Sequence, residues 1–333
     1  MLSLFSFKER NARYWISELV EVWNTSMPVE FSLSVDLLER NVFHSPYLNL
    51  GRSCLLLDDD EKVQGFLIGK SDRYGVLHGK DQPNRFWISC IVVHPDFQRN
   101  GYGGEMVRKA LAGDDKDVQK FQECHVGTDP HHFFPGIPND LDNAKTFFKG
   151  HGFDVSGEAY DLAGDLVNGP DKLIVHDDAT AFAEYDVRRL HPTDQRNLFC
   201  LIEENFSLRW LVDTKWSLLY EKNITSMIGL FHHTKLIGFT HVHSIGDSFW
   251  IPSVYWEKGG NPNIGGLGPV GISKEYRGKG LGALFMGKAL GILRKEGVKK
   301  MVIDWTILLD FYGQFGFRPF RKYVHAQKMI DES

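Results

Sequence analysis

Cysteine is scarce in this chain: four in 333 residues, Cys54, Cys90, Cys124 and Cys200, with no two in a Cys-x-x-Cys pair. That spacing argues against a zinc knuckle and a disulfide framework, and fits a reducing compartment. No run approaches the about 18 consecutive apolar residues of a membrane span. The opening Met1-Leu2-Ser3-Leu4-Phe5-Ser6-Phe7-Lys8-Glu9-Arg10 lacks a basic segment followed by a long apolar one, so cytoplasmic is the default localisation. Positive charge is not in excess either. Lys and Arg number 38 against 43 Asp and Glu, a formal net charge of −5. Neither nucleic acid nor an anionic membrane surface is an expected partner, and a substrate carrying an amine meets no overall repulsion. Aromatics, by contrast, are plentiful: 24 Phe, 11 Tyr and 8 Trp, which argues against disorder. The length favours two domains over one.

A repeat supports that division. Val92-Val93-His94-Pro95-Asp96-Phe97-Gln98 runs into Gly101-Tyr102-Gly103, and Gly271-Ile272-Ser273-Lys274-Glu275-Tyr276-Arg277 runs into Gly280-Leu281-Gly282. Upstream, Val63-Gln64-Gly65-Phe66 matches Leu236-Ile237-Gly238-Phe239. Downstream, Phe147-Phe148-Lys149-Gly150-His151-Gly152-Phe153 matches Phe311-Tyr312-Gly313-Gln314-Phe315-Gly316-Phe317. Three matches in one order make a duplication. Phe86 to Val93 is dense enough in β-branched and aromatic residues for a buried strand. Met106, Val107, Ala110 and Leu111 predict a helix ending at Gly113. Leu281, Leu284, Phe285, Ala289, Ile292 and Leu293 predict a longer one closed by Gly297. Each copy reads strand, Gly loop, helix, strand, short helix, Gly-Phe, strand. A turn at Asn168-Gly169-Pro170-Asp171 divides residues 1–166 from 181–333.

A strand that runs through a glycine turn into a helix can hold phosphate. The first helical N–H groups are unpaired, the helix dipole places partial positive charge there, and glycine lets backbone approach the ligand closely. The candidate binding residues are Gln98, Arg99, Asn100, Gly101, Tyr102, Gly103 and Gly104 in copy one. In copy two they are Arg277, Gly278, Lys279, Gly280, Leu281 and Gly282. A Rossmann loop would need a third glycine and an early position, and a Walker loop would need Gly-Lys-Ser/Thr; neither copy has them.

Gln98-x-x-Gly101-x-Gly103 and Arg277-x-x-Gly280-x-Gly282, each followed by a helix and then Phe-Phe/Tyr…Gly-Phe, resemble the GNAT acetyltransferase superfamily in tandem. The resemblance implies an α/β fold in two copies, each a mixed, mostly antiparallel sheet flanked by helices with a splay between two parallel strands. It implies acetyl-CoA as co-substrate, its pyrophosphate on the Gly loop. It further implies that backbone of the strand before the loop polarises the thioester carbonyl: Val92 and Val93 in copy one, Val270, Gly271 and Ile272 in copy two. Pro269 fits the bulge that the family carries in that strand. The activity implied is acetyl transfer to a primary amine by direct attack, with a tyrosine protonating the departing thiolate.

Tyr312 matches that tyrosine, whereas copy one has Phe148, so the chemistry is expected in copy two. His241 and His243 share a strand face and are candidate bases, with Glu257 and Asp304 as further candidates. An Asn frequent in the family before the tyrosine is missing; Leu141 and Trp305 stand there. Asp129, His131 and His132 lie in a loop over 127–138, but without a distant partner they do not make a metal site, and no metal is expected. That loop reads as a pocket wall or domain contact. It also resembles a segment of acetyltransferase domains fused to β-N-acetylhexosaminidases, which implies amino sugars. A non-catalytic acyl-CoA sensor and a peptide or protein N-acetyltransferase are the alternatives. The oligomeric state stays open, a homodimer included.

Overall fold

The apolar run read as a buried strand is one, Arg85–Val93, in a computed structural model that describes residues 2–72, 77, 83–113, 120–168, 182–221, 224–257 and 263–330. The described elements follow in chain order. First come β1 (Ser3–Ser6), α1 (Ile16–Ser26), α2 (Val35–Leu38), β2 (Cys54–Leu57), β3 (Val63–Ser71) and β4 (Arg85–Val93). Then come α3 (Tyr102–Ala112), β5 (Glu123–Val126), β6 (Ile137–Pro138), α4 (Asp142–Gly150) and β7 (Asp154–Asp165). The second series is β8 (Tyr185–Arg189), α5 (Gln195–Asn205), α6 (Leu208–Glu221), β9 (Met227–His232) and β10 (Lys235–His243). It ends with β11 (Ile264–Ile272), α7 (Leu281–Lys295), β12 (Lys300–Thr306), α8 (Leu309–Gly313) and β13 (Arg318–Met329).

Residues 1–159 with 322–333 pack as one unit, and residues 160–321 as the other. In unit 1, β1 to β4 form an antiparallel series and β5 lies parallel to β4. The far edge of β5 is covered by the end of the chain, Ala326–Met329 of β13, antiparallel to Val126–Glu123. In unit 2, β8 to β11 are antiparallel, β12 lies parallel to β11, and the edge of β12 is covered by Tyr160–Asp165 of β7. Each series thus carries one parallel pair among antiparallel ones. The compact units depart from the repeat boundaries at 1–166 and 181–333, because the last strand of each repeat pairs in the unit built by the other. Asn168 is the last described residue before the expected boundary turn; Gly169, Pro170 and Asp171 lie outside the described residues.

Helix α3 buries Met106, Val107 and Ala110 against Leu67, Phe86, Ile88 and Cys124. It stops at Gly113, where φ is +73°. Arg52 Nη1 donates to the last carbonyls, Ala110 at 2.8 Å and Leu111 at 2.7 Å, which sets a cation at the negative end of the helix dipole. Helix α7 buries a broader face that includes Leu281, Leu284, Phe285, Ala289, Leu290 and Leu293. It ends at Gly297 (φ +97°), with Val298 N–H donating back to Leu293 O at 3.0 Å, a Schellman closure.

Candidate active site

In both units the parallel pair separates after a few rungs. In unit 1 the pairing runs from Arg85↔Glu123 to Ile88↔Val126; in unit 2 it runs from Ile264↔Lys300 to Leu267↔Ile303. Beyond, β4 and β11 stay paired only on their other side, with β3 and β10. A splay opens between the two parallel strands. Both strands are bulged where it begins. Ile68 and Gly69 face Cys90 and Ile88, leaving Ser89 extra, and Thr240 and Val242 face Val270 and Leu267, leaving Gly268 and Pro269 against His241. Pro269 is therefore at a bulge, where its missing N–H breaks no ladder.

The free end of each strand runs into the glycine turn. Gly101 (φ +86°) and Gly280 (φ +78°) are the N-caps of α3 and α7, both in the left-handed region that favours glycine. A Cβ on Gly101 or Gly278 would have no atom within 4 Å, so the cradle is open on that side. Arg99, Asn100, Gly101, Arg277, Gly278, Lys279 and Gly280 are exposed, while Tyr102, Gly103, Gly104 and Gly282 are half-buried and Leu281 is buried. Two equivalent bonds fix the turns: Gln98 Nε2 donates to Val93 O, and Arg277 Nε donates to Ile272 O, each at 2.9 Å. Exposed N–H groups at a helix start, beside Arg and Lys, suit a pyrophosphate. Acetyl-CoA fits both turns by this test.

The other side of the splay separates the units. In unit 2, β12 ends in a second bulge: Ile303 pairs with Leu162 and Thr306 with Tyr160, so Asp304 and Trp305 together face Asp161. Trp305 sits at φ +46°, an unusual conformation for an aromatic residue. Its N–H donates to Asp161 Oδ1 at 3.3 Å. Arg321 Nη1 lies 3.9 Å from Asp161 Oδ2, and Arg321 Nη2 lies 2.9 Å from Glu257 Oε1. Asp304 keeps part of its surface open yet is deeply set in protein. Burial, with the neighbouring Asp161 charge, pushes its pKa up to about 8. Tyr312, on α8, is 6% exposed; burial and Asp304 push its phenol up to about 12, so it holds its proton through the neutral range. Asp304, Asp161 and Tyr312 are one electrostatic cluster.

His243 Nδ1 bonds the Phe249 carbonyl at 2.8 Å and its ring stacks on Trp250 at 4.8 Å; His241 is buried on the same strand. A carbonyl only accepts, so His243 Nδ1 carries the proton.

Unit 1 lacks the cluster. By the same registers Gly127 stands where unit 2 has Asp304, His325 where it has Asp161, and the buried Phe148 where it has Tyr312. The bulge persists, with Thr128 at φ +59°. Asp129, Lys70 and Ser89 fill its floor: Lys70 Nζ is 2.6 Å and Ser89 Oγ 2.8 Å from Asp129 Oδ2. Lys70 also donates to the Pro130 and His131 carbonyls at 3.0 Å. Phe133 and Phe134 turn inward onto Trp23, at ring distances of 5.2 and 6.0 Å. The loop over 127–138 is core rather than an open wall.

Asp161 and Arg321 were not singled out by the sequence reading. Neither has a local motif, and Asp161 is 144 residues from the Trp305 it bonds. No helix among the described residues is long and apolar enough to cross a membrane.

No curated protein matches the chain. Among solved structures, it aligns with a glucosamine N-acetyltransferase region of a fungal multi-domain GH3 β-N-acetylglucosaminidase, at 20% identity and TM-score 0.81. That alignment covers 98% of this chain and 38% of the fungal one. It also aligns with a GCN5-related N-acetyltransferase from Sphaerobacter thermophilus, at 16% identity and TM-score 0.63, over 100% and 96% of the two chains. A tandem GNAT protein from the clavulanic acid biosynthesis pathway aligns at 16% identity and TM-score 0.64 over the whole of both chains. At these identities the likeness is one of fold. The acetyltransferase (GNAT) family profile matches residues 14–132 and 190–317, one segment in each repeat and most of the sequence, and the chain belongs to that family.

Proposed function

We propose that the protein is an acetyl-CoA-dependent N-acetyltransferase acting on a primary amine of a small molecule, with its chemistry in unit 2. The observation that carries this is Asp304: a deeply set carboxyl, still accessible, at the mouth of a splay whose other end is the Arg277–Gly282 turn. A carboxyl with a pKa of about 8 is matched to taking a proton from an ammonium near neutral pH. This assigns the base to Asp304 in preference to His241, His243 and Glu257.

The proposed sequence is short. The pyrophosphate rests on the α7 turn and the thioester lies along Val270, Gly271 and Ile272. Asp304 takes a proton from the acceptor ammonium, and the amine nitrogen attacks the thioester carbon. The C–S bond breaks, the thiolate takes the Tyr312 proton, and one of the two protons on the attacking nitrogen leaves to restore the phenol, the other staying on the amide. Amino sugars are the first acceptor class to test, supported by the fungal glucosamine N-acetyltransferase region. Unit 1 keeps the acetyl-CoA turn but has its acceptor end filled, so we assign it a non-catalytic binding role. Its cysteines support a cytoplasmic setting: all four in the chain are free.

The test is release of CoA thiol by the purified chain, with glucosamine first, then other small amines and peptides. Tight acetyl-CoA binding without turnover on any amine would make the protein an acyl-CoA-binding module. Preference for peptides would make it a protein modifier.

A further inference from the structure

The unit 2 cluster is built from two sequence repeats. Asp304, Trp305, Tyr312, Glu257 and Arg321 belong to the second. Asp161 lies on β7, the last strand of the first. It is the single β7 residue facing the two-residue bulge of β12, and it accepts the N–H of the strained Trp305. A carboxylate only 4% exposed is poor packing material; Arg321 stands 3.9 Å from it and 2.9 Å from Glu257. Unit 1 has the same bulge, and there a histidine, His325, stands at this register position and a glycine, Gly127, at that of Asp304. The two carboxyls are present together in one unit and absent together from the other.

We propose that Asp161, contributed by the first repeat, is a positioning residue of the unit 2 site: it holds the Asp304–Trp305 bulge and supplies the negative field in which Asp304 takes up its proton. The proposal rests on Asp304 as the base. It makes the duplication a requirement of the chemistry, since the second repeat by itself lacks a carboxylate that its base needs. Tyr312 of α8 faces Asp304, and Arg321 of β13 faces Asp161, with Glu257 behind it. Arg209 of α6 lies over the Trp305 ring at 5.1 Å, itself 3.3 Å from Asp213.

The experiment is a carboxyl-carbon NMR titration of the full chain labelled at aspartate, with Asp304→Asn assigning the resonance, run beside kcat against pH with glucosamine and acetyl-CoA. Asp161→Asn keeps an acceptor for the Trp305 N–H and removes only the charge. The Asp304 midpoint and the acid limb of kcat are expected to fall together by about one pH unit. Arg321→Gln removes the facing cation and should move both the other way, so the proposal stays testable if Asp161→Asn does not fold. An unmoved midpoint in either folded variant overturns the proposal. Failure of the parent reading looks different: the midpoints shift as expected, yet Asp304→Asn turns over at the wild-type rate.

Discussion

Lys70 Nζ lies 2.6 Å from Asp129 Oδ2, and both side chains are wholly buried. Lys70 is the second residue past the bulge on β3, opposite Trp87, the position that His243 holds on β10 opposite Gly266. One repeat therefore places a buried salt bridge where the other places a histidine stacked on Trp250.

Breaking that pair from one side leaves a lone buried charge. Asp129→Ala is expected to cost about 3–5 kcal/mol, whereas Lys70→Met with Asp129→Leu should recover most of it. Urea unfolding of the full chain reads both. A loss below about 1 kcal/mol in the single variant would show that water or other groups take over the charge.

Asp304 gives a stability signature as well as a kinetic one. Its pKa is raised on folding, from 3.8 to about 8, so the native state holds a proton that the unfolded chain has lost between those values. The group's stabilisation is complete below the unfolded value and disappears as pH rises through about 8. Asp304→Asn, which cannot lose that proton, should therefore gain stability over the parent from pH 5 to pH 9. The melting-temperature difference measured across that range checks the sign. The same variant should lose about 10²–10⁴-fold in kcat.

Tyr312→Phe is expected to lower kcat about 10²-fold with acetyl-CoA affinity unchanged, because only proton donation is removed. Calorimetric binding beside steady-state rates separates the two. An unchanged kcat would assign the phenol to packing, since the ring already lies in the core with Phe315 and Phe317.

The two turns should respond unequally to bulk. Gly280→Trp forces a side chain into a φ of +78° at the mouth of the proposed site, and activity should vanish. Gly101→Trp imposes the same strain in unit 1 and should leave much of the activity. The reverse ranking, measured by thiol release, would move the chemistry to unit 1.

The turns were legible in the sequence because a helix that starts from left-handed backbone needs glycine at a fixed offset, and Gly101 and Gly280 record that need. The helix ends at Gly113 and Gly297 were legible for the same reason. The far side of the splay was not. Lys70 and Asp129 are 59 residues apart, Asp161 and Trp305 144, and nothing local marks either partnership. Asp304 was visible as one acid among several; only burial beside a second carboxylate gives it a distinct pKa. The strand exchange was hidden because β7 and β13 each follow their own repeat in sequence, and pairing partners leave no mark on a strand's own pattern.

The crossing of β7 and β13 has a consequence for how the chain is made. Strand β5 is synthesised early, but the segment that covers it, Ala326–Met329, is made some two hundred residues later. Until then the nascent first repeat presents a bare strand edge, the surface through which chains pair with one another. The strand that covers β12 is already made when β12 emerges, so the edge left waiting for the last strand is that of β5.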